Sequence, residues 1–148
     1  ENDNLLIKGT SLWALVDIST RKMVMPKNVQ FNIDEYWQES TFEEKFLKAG
    51  DFEVTEDMVP YEVVSRYTDI DVNGHVNNTK YTNFVLNALN LPATEQISFL
   101  QIDYKKEVLE GEKLLIYQTR EDDIVMCKGC NEAGDTMFVT KMRLKKTV

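Results

Sequence analysis

The chain has 148 residues, 43% of them hydrophobic and 28% charged, with a formal net charge of −8 at pH 7. That length suits one domain, one that takes roughly two thirds of its unfolded surface out of water on folding. The acidic balance argues against nucleic acid as a partner, because such a surface needs a basic face to replace phosphate counterions. With no run of about 18 apolar residues and no basic-then-apolar amino terminus, neither a membrane span nor a signal peptide is expected, and cytoplasmic residence is the default.

Residues Leu5 to Val16 read as a strand. Ile7, Trp13 and Leu15 share one parity and Leu6, Leu12, Ala14 and Val16 the other, so both faces are expected to be partly covered. Asp17 to Lys22 form a turn or hairpin, and Met23 to Pro26 follow it. Asn32 to Gly50 is a polar connector with helical character. Ser40 and Thr41, with Glu43 and Glu44 three residues on, offer capping-box pairings, Phe42, Phe46 and Leu47 a short apolar face, and Gly50 a stop. Tyr36, Trp37 and Phe42 are expected to pack on a sheet. From Phe52 to Val64 the chain is extended again.

Residues 65–91 are the densest in chemistry. Tyr81, Phe84, Val85, Ala88 and Leu89 follow the i, i+3, i+4, i+7 spacing of a helix that buries one face. Asn77 or Asn78 caps it, and Pro92 helps end it. Before the helix, Asp69, Asp71, Asn73 and His75 alternate with Ile70, Val72 and Gly74. If this part stays extended, the four polar side chains project to one side. Gly74 permits a sharp turn. An imidazole, carboxylates and a carboxamide would then converge at the positive end of a helix, where developing negative charge is stabilised. The bland reading is that the same residues serve as turns and caps.

Beyond the helix, Ile97 to Val108 alternates, with Ser98, Leu100, Ile102 and Tyr104 on the parity expected to be buried. Turns at Glu110-Gly111, Asp122-Asp123 and Ala133-Gly134-Asp135 separate strands at Lys113 to Arg120, Ile124 to Cys130 and Thr136 to Lys146. A helix followed by an antiparallel meander is α+β. Cys127 and Cys130 stand as Cys-Lys-Gly-Cys, but zinc needs about four ligands and the chain holds one histidine and no further cysteine. A redox pair would gain its lowered thiol pKa at a helix start, so the two are read as small core or edge residues. No metal or cofactor is expected.

The segment Asp-Ile-Asp-Val-Asn-Gly-His-Val-Asn-Asn-Thr-Lys-Tyr, residues 69–81, resembles the active-site segment of the acyl-ACP thioesterases, and Leu100 to Glu107 resembles the strand that delivers their catalytic glutamate. Ser11 to Asp17, with Thr20-Arg21 and Pro26, is similar to the closing strand of their first domain. A looser pattern, Asp-x-x-Gly-His-Val-Asn-Asn, is similar to single-domain acyl-CoA thioesterases. The resemblance implies hot-dog domains, each an antiparallel sheet wrapped around one long helix. Residues 1–30 would close a first such domain, 31–51 would be a helical linker, and 52–148 the catalytic domain.

It also implies a site. Asp71, Asn73, His75 and Glu107 fall on the family's catalytic positions, and Asn77, Asn78 and Tyr81 are expected to contact substrate. The position after the glutamate, often cysteine in the plant enzymes, is Val108 here, which excludes a cysteine nucleophile at that position. Glu107 with His75 would activate water, Asn73 would hold the thioester carbonyl, and Asp71 would orient Asn73 or His75; direct attack by a carboxylate stays open. A carboxylate beside an imidazole is expected to titrate as a pair. The implied partner is acyl carrier protein, with Lys141, Arg143 and Lys145 on one parity of the last strand as its contact; the alternative is a solvated outer face guarding an edge strand. An acyl-CoA thioesterase and a hot-dog module that binds acyl groups without hydrolysing them are the competing readings. A homo-oligomer or pairing with a second hot-dog domain is expected.

Overall fold

A computed structural model describes residues 5–20, 22–25 and 48–147. They fall into two compact units, residues 1–47 and residues 48–148. In the first, two-residue strands β1 (Leu15–Val16) and β2 (Met23–Val24) pair antiparallel. The Asp17 carboxylate closes their turn by accepting from the Thr20 N–H at 2.7 Å and the Thr20 hydroxyl at 2.9 Å, which holds the carboxyl below its ordinary value. The strand expected from Leu5 is therefore only Leu15–Val16. A strand exists through its ladder, and residues 5–14 join no strand ladder among the described residues; Leu6, Ile7 and Trp13 are exposed rather than covered. The expected helical connector lies mostly outside the described residues; Lys48 to Gly50 are not helical.

The second unit is a five-stranded antiparallel sheet and one helix. The strands are β3 (Tyr61–Val64), β4 (Glu95–Tyr104), β5 (Lys113–Glu121), β6 (Ile124–Asn131) and β7 (Thr136–Lys146), in spatial order β3-β5-β6-β7-β4. Of the extended stretch expected from Phe52, only Tyr61–Val64 pairs. Strand β4 ends at Tyr104, not Val108: the Lys105 and Lys106 N–H groups both donate to the Met137 carbonyl, at 2.8 and 3.1 Å, and two residues set against one turn the chain out of the ladder. A bulge between Ile97 and Phe99 also breaks the expected parity. Ile97, paired with Leu144, thus joins Ile102 against the core.

Helix α1 (Asn78–Leu89) starts where the Asn77 side chain accepts from the Thr79 N–H at 3.0 Å. It ends on Asn90 in the left-handed conformation rather than through Pro92. The expected stripe is buried through Tyr81, Phe84 and Val85, and Ala88 and Leu89 pack beside them. Tyr81 meets Phe138 edge-on at 5.1 Å and Tyr104 at 5.2 Å between ring centroids. Phe138 lies across Gly129, where an added Cβ would sit 2.1 Å from the ring. Burial pushes the Tyr81 phenol up to about 12.

The opposite sheet face is crossed by the segment from Lys48 to Val54. Lys128 reaches it from β6, donating to Asp51 at 2.8 Å and to the Phe52 carbonyl at 2.9 Å. The Ala49 N–H donates to Asp103 at 3.0 Å. Cys127 and Cys130, three apart on one strand, point to opposite faces and are both buried free thiols. Burial pushes Cys127 up to about 11 and raises Cys130 as well. Lys141 and Arg143 share this outer face with the Cys130 parity of β6, and Lys145 continues the row, but β7 lies between β6 and β4. The basic row therefore guards no edge.

Candidate active site

Two limbs of chain meet at the amino terminus of α1. The first follows a single 3₁₀ turn, Tyr67–Asp69. It is a tight hairpin, not the extended run expected. Ile70 bridges Val76, the Asp71 N–H donates to the His75 carbonyl at 2.8 Å, and Gly74, at φ 81°, donates to the Asp71 carbonyl at 3.1 Å. The left-handed turn at Gly74 is what reverses the chain. Asp69 anchors the stem: its carboxylate accepts from the Arg66 N–H at 2.9 Å and lies 3.6 Å from Lys80, while its carbonyl accepts from the Asn77 N–H at 2.8 Å.

The second limb runs from Lys105 to Glu112. The Val76 N–H donates to the Val108 carbonyl at 2.8 Å and His75 bridges Leu109, so the two limbs are stitched together beside the helix. That stitch brings His75 Nε2 to 3.1 Å from Glu107 Oε2. The imidazole is mostly covered, with a side chain 22% exposed, and the carboxylate is open at 62%. A water molecule can reach this carboxylate, and the residue that faces it, His75, has its backbone tied to Asp71 on one side and to the second limb on the other.

The remaining expected residues are placed as follows. Asp71 accepts from the Asn73 backbone N–H at 2.8 Å. It shapes the turn and orients neither the His75 ring nor the Asn73 amide by a hydrogen bond. Asn73 is exposed at the tip, and its side chain makes no hydrogen bond among the described residues. Asn77 is spent on the helix cap. Asn78 accepts at its carbonyl from the Tyr104 hydroxyl at 2.9 Å, and Tyr81 is buried in the core with 2% exposure. Lys141, Arg143 and Lys145 lie on the sheet face away from the helix, and Arg143 is 3.6 Å from Asp123.

Two features were missed. The Thr79 and Lys80 amides are bonded within the cap, to Asn77 Oδ1 and the Asn77 carbonyl. The Asn78 N–H is left as a first-turn donor without an internal partner among the described residues, at the positive end of the helix. Ser65, buried at 2% exposure, donates to the Leu109 carbonyl at 2.6 Å; no spacing in the sequence marks it. Among the described residues no group of three or more His, Cys, Asp or Glu side chains could hold a metal ion, and no helix is long and apolar enough to cross a membrane.

Comparison with known proteins identifies the family and the fold. Residues 53–143 match the family described as the acyl-ACP thioesterase C-terminal domain. A palmitoyl-acyl carrier protein thioesterase, chloroplastic, of Gossypium hirsutum is 30% identical over 115 residues, covering 72% of this chain and 27% of that protein. Among solved structures, an acyl-ACP thioesterase from Bacteroides thetaiotaomicron superposes with a TM-score of 0.71 at 21% identity, covering 88% of this chain and 53% of that one. A 12:0-ACP thioesterase from Umbellularia californica gives 0.70 at 20% identity, covering 89% and 53%. The fold, an antiparallel sheet on a single helix, is the hot-dog fold. The chain spans about a quarter of the length of that Gossypium hirsutum relative. Over its second unit, this chain belongs to the acyl-ACP thioesterase family.

Proposed function

We propose that the protein hydrolyses the thioester of a fatty acyl-carrier protein to free fatty acid and carrier thiol, with Glu107 and His75 as the reacting pair. The observation that carries the reading is the 3.1 Å contact of His75 Nε2 with the open Glu107 carboxylate, both within the residues that match the family. Glu107 takes a proton from water as the water oxygen bonds to the acyl carbon. The carbonyl oxygen, now an anion, is held by the helix amino terminus, whose Asn78 N–H is unspent, and by the Asn73 amide at the loop tip. The carbon–sulfur bond then breaks, and the proton held by the Glu107–His75 pair goes to the departing thiolate. His75 keeps the carboxylate oriented and shares the proton.

Asp71 serves this scheme through the backbone of Asn73, and Asn77, Asn78 and Tyr81 by setting the helix start over the site. Lys141, Arg143 and Lys145 are a carrier contact in this reading. Arg143 is six residues along β7 from Met137, which touches the Glu107 limb, a distance of about 20 Å. Charge reversal at Arg143 should raise KM for acyl-ACP and leave kcat alone.

Turnover of a panel of acyl-ACP and acyl-CoA thioesters, by this chain alone and joined to a first hot-dog domain, tests the reading. Carrier-linked turnover lost in Glu107→Gln supports it. A preference for acyl-CoA would make the carrier the wrong handle, and acyl binding without turnover in either form would make this a binding module.

A further inference from the structure

The Glu107 limb owes its position to two residues that the scheme above leaves unused. Leu109, two residues past Glu107, is the point where the limb bridges His75. Both backbone polar groups of Leu109 are taken. Its carbonyl accepts from the Ser65 hydroxyl at 2.6 Å, and its N–H donates to Glu112 Oε2 at 2.9 Å. Ser65 is joined to the same loop by its backbone as well: its N–H donates to the Glu112 carbonyl at 3.1 Å, and its carbonyl accepts from the Gly111 N–H at 3.1 Å. A buried hydroxyl and a carboxylate thus grip the backbone of one residue from its two sides, where β3 ends and β5 begins.

We propose that Ser65 and Glu112 are positioning residues, which set Glu107 against His75 by holding the Leu109 backbone. The proposal rests on the reading of Glu107 and His75 as the reacting pair. A carboxylate on a loop open to solvent has many rotamers and backbone positions available. The Leu109 carbonyl also accepts from the Glu112 N–H at 3.3 Å; a buried serine whose loss takes the shorter of these two bonds, and an acceptor whose loss frees an N–H, restrict the loop to one of them. Reaction rate is sensitive to such placement, with an ångström of misplacement costing up to about 100-fold.

The test is steady-state kinetics on acyl-ACP of Ser65→Ala, Glu112→Ala and Glu112→Gln, each also combined with Glu107→Gln, with activity scaled to folded protein. Ser65→Ala and Glu112→Ala should lower kcat about tenfold and leave KM within about twofold. Glu112→Gln keeps an acceptor for the Leu109 N–H and should restore kcat to within about threefold. In the Glu107→Gln background neither alanine change should slow the residual rate further. Should Ser65→Ala fail to fold, the Glu112 series decides alone. Wild-type kcat in both alanine variants, a Glu112→Gln as slow as Glu112→Ala, or an equal slowing in the Glu107→Gln background would each overturn the latch while leaving the reacting pair standing. Wild-type kcat in Glu107→Gln itself would remove the reacting pair and the latch with it.

Discussion

The two limbs of the site are built in opposite ways. The bonds that turn the His75 limb back on itself are local, Asp71 to the Asn73 N–H, Gly74 to Asp71, Asp71 to His75 and Asn77 to Thr79, and only its stitch to Val108 and Leu109 is long-range. The Glu107 limb hangs on distant partners, with Ser65 reaching Leu109 across 44 residues and Met137 holding Lys105 and Lys106 from β7. A local turn is set by its own residues and forms at small entropic cost, whereas the second limb exists only once the sheet has closed. The proposed reaction needs both, since His75 and Glu107 contribute one group each to the pair.

Lesions in the shared core should therefore reach both limbs, and local lesions only one. Gly129→Ala drives a methyl into Phe138, which packs on Tyr81 behind the His75 limb, and Tyr81 packs in turn on Tyr104 ahead of the Glu107 limb. It should destabilise the second unit by about 3 kcal/mol in denaturant melts and lower protection of the Val76 and Lys105 amides together. Gly74→Ala forces a side chain into φ 81° and should cost about 1–2 kcal/mol. Exchange should then rise at the Asp71 and Gly74 amides and stay as it was at Lys105; equal loss at both sites would deny that the first limb is autonomous. Asn77→Ala removes the helix cap at a cost of about 1 kcal/mol, read as faster exchange confined to the first turn of α1.

The smallest effect belongs to the segment that crosses the outer face. Lys128 holds the Asp51 carboxyl below its ordinary value. Burial pushes Asp103 up, but the Gln101 side chain, the Ala49 N–H and Lys105 outweigh it, and Asp103 also lies low. Groups depressed in the folded state contribute stability that is fully present above the unfolded carboxyl pKa of about 4, and that is lost as pH falls through their folded values. The Tm gap between the protein and Asp103→Asn should thus be open at neutral pH and close as the solution is acidified below about 4. A gap that persists at the lowest pH would contradict the assignment.

This contrast also explains what could be read from the chain. The stripe of Tyr81, Phe84 and Val85, the Asn77 cap and the limits of β7 are local signals and appear where the pattern puts them. The fold class followed from helix and meander, and the hot-dog form from the motif at 69–81. The alternation of Asp69 to His75 suggested an extended run because a period of two does not reveal a turn centred on a glycine. The bulge at Ile97 and Phe99 and the early end of β4 are set by partners on β7 that no local pattern shows. Residues 5–14 carry strand-like composition, yet composition cannot supply a neighbour. Glu107 was legible only through resemblance, and Ser65 and Glu112 were not legible at all, because their meaning lies in a peptide 44 and three residues away.

The central claim is that two limbs deliver one reacting pair, and the most direct measurement is kcat on acyl-ACP for His75→Ala, Glu107→Gln and the double variant. The account predicts a loss on the order of 1,000-fold in each single variant, and a double variant no slower than the slower single, as groups acting as a unit behave. Losses that multiply, or a single variant that turns over at the wild-type rate, would contradict it.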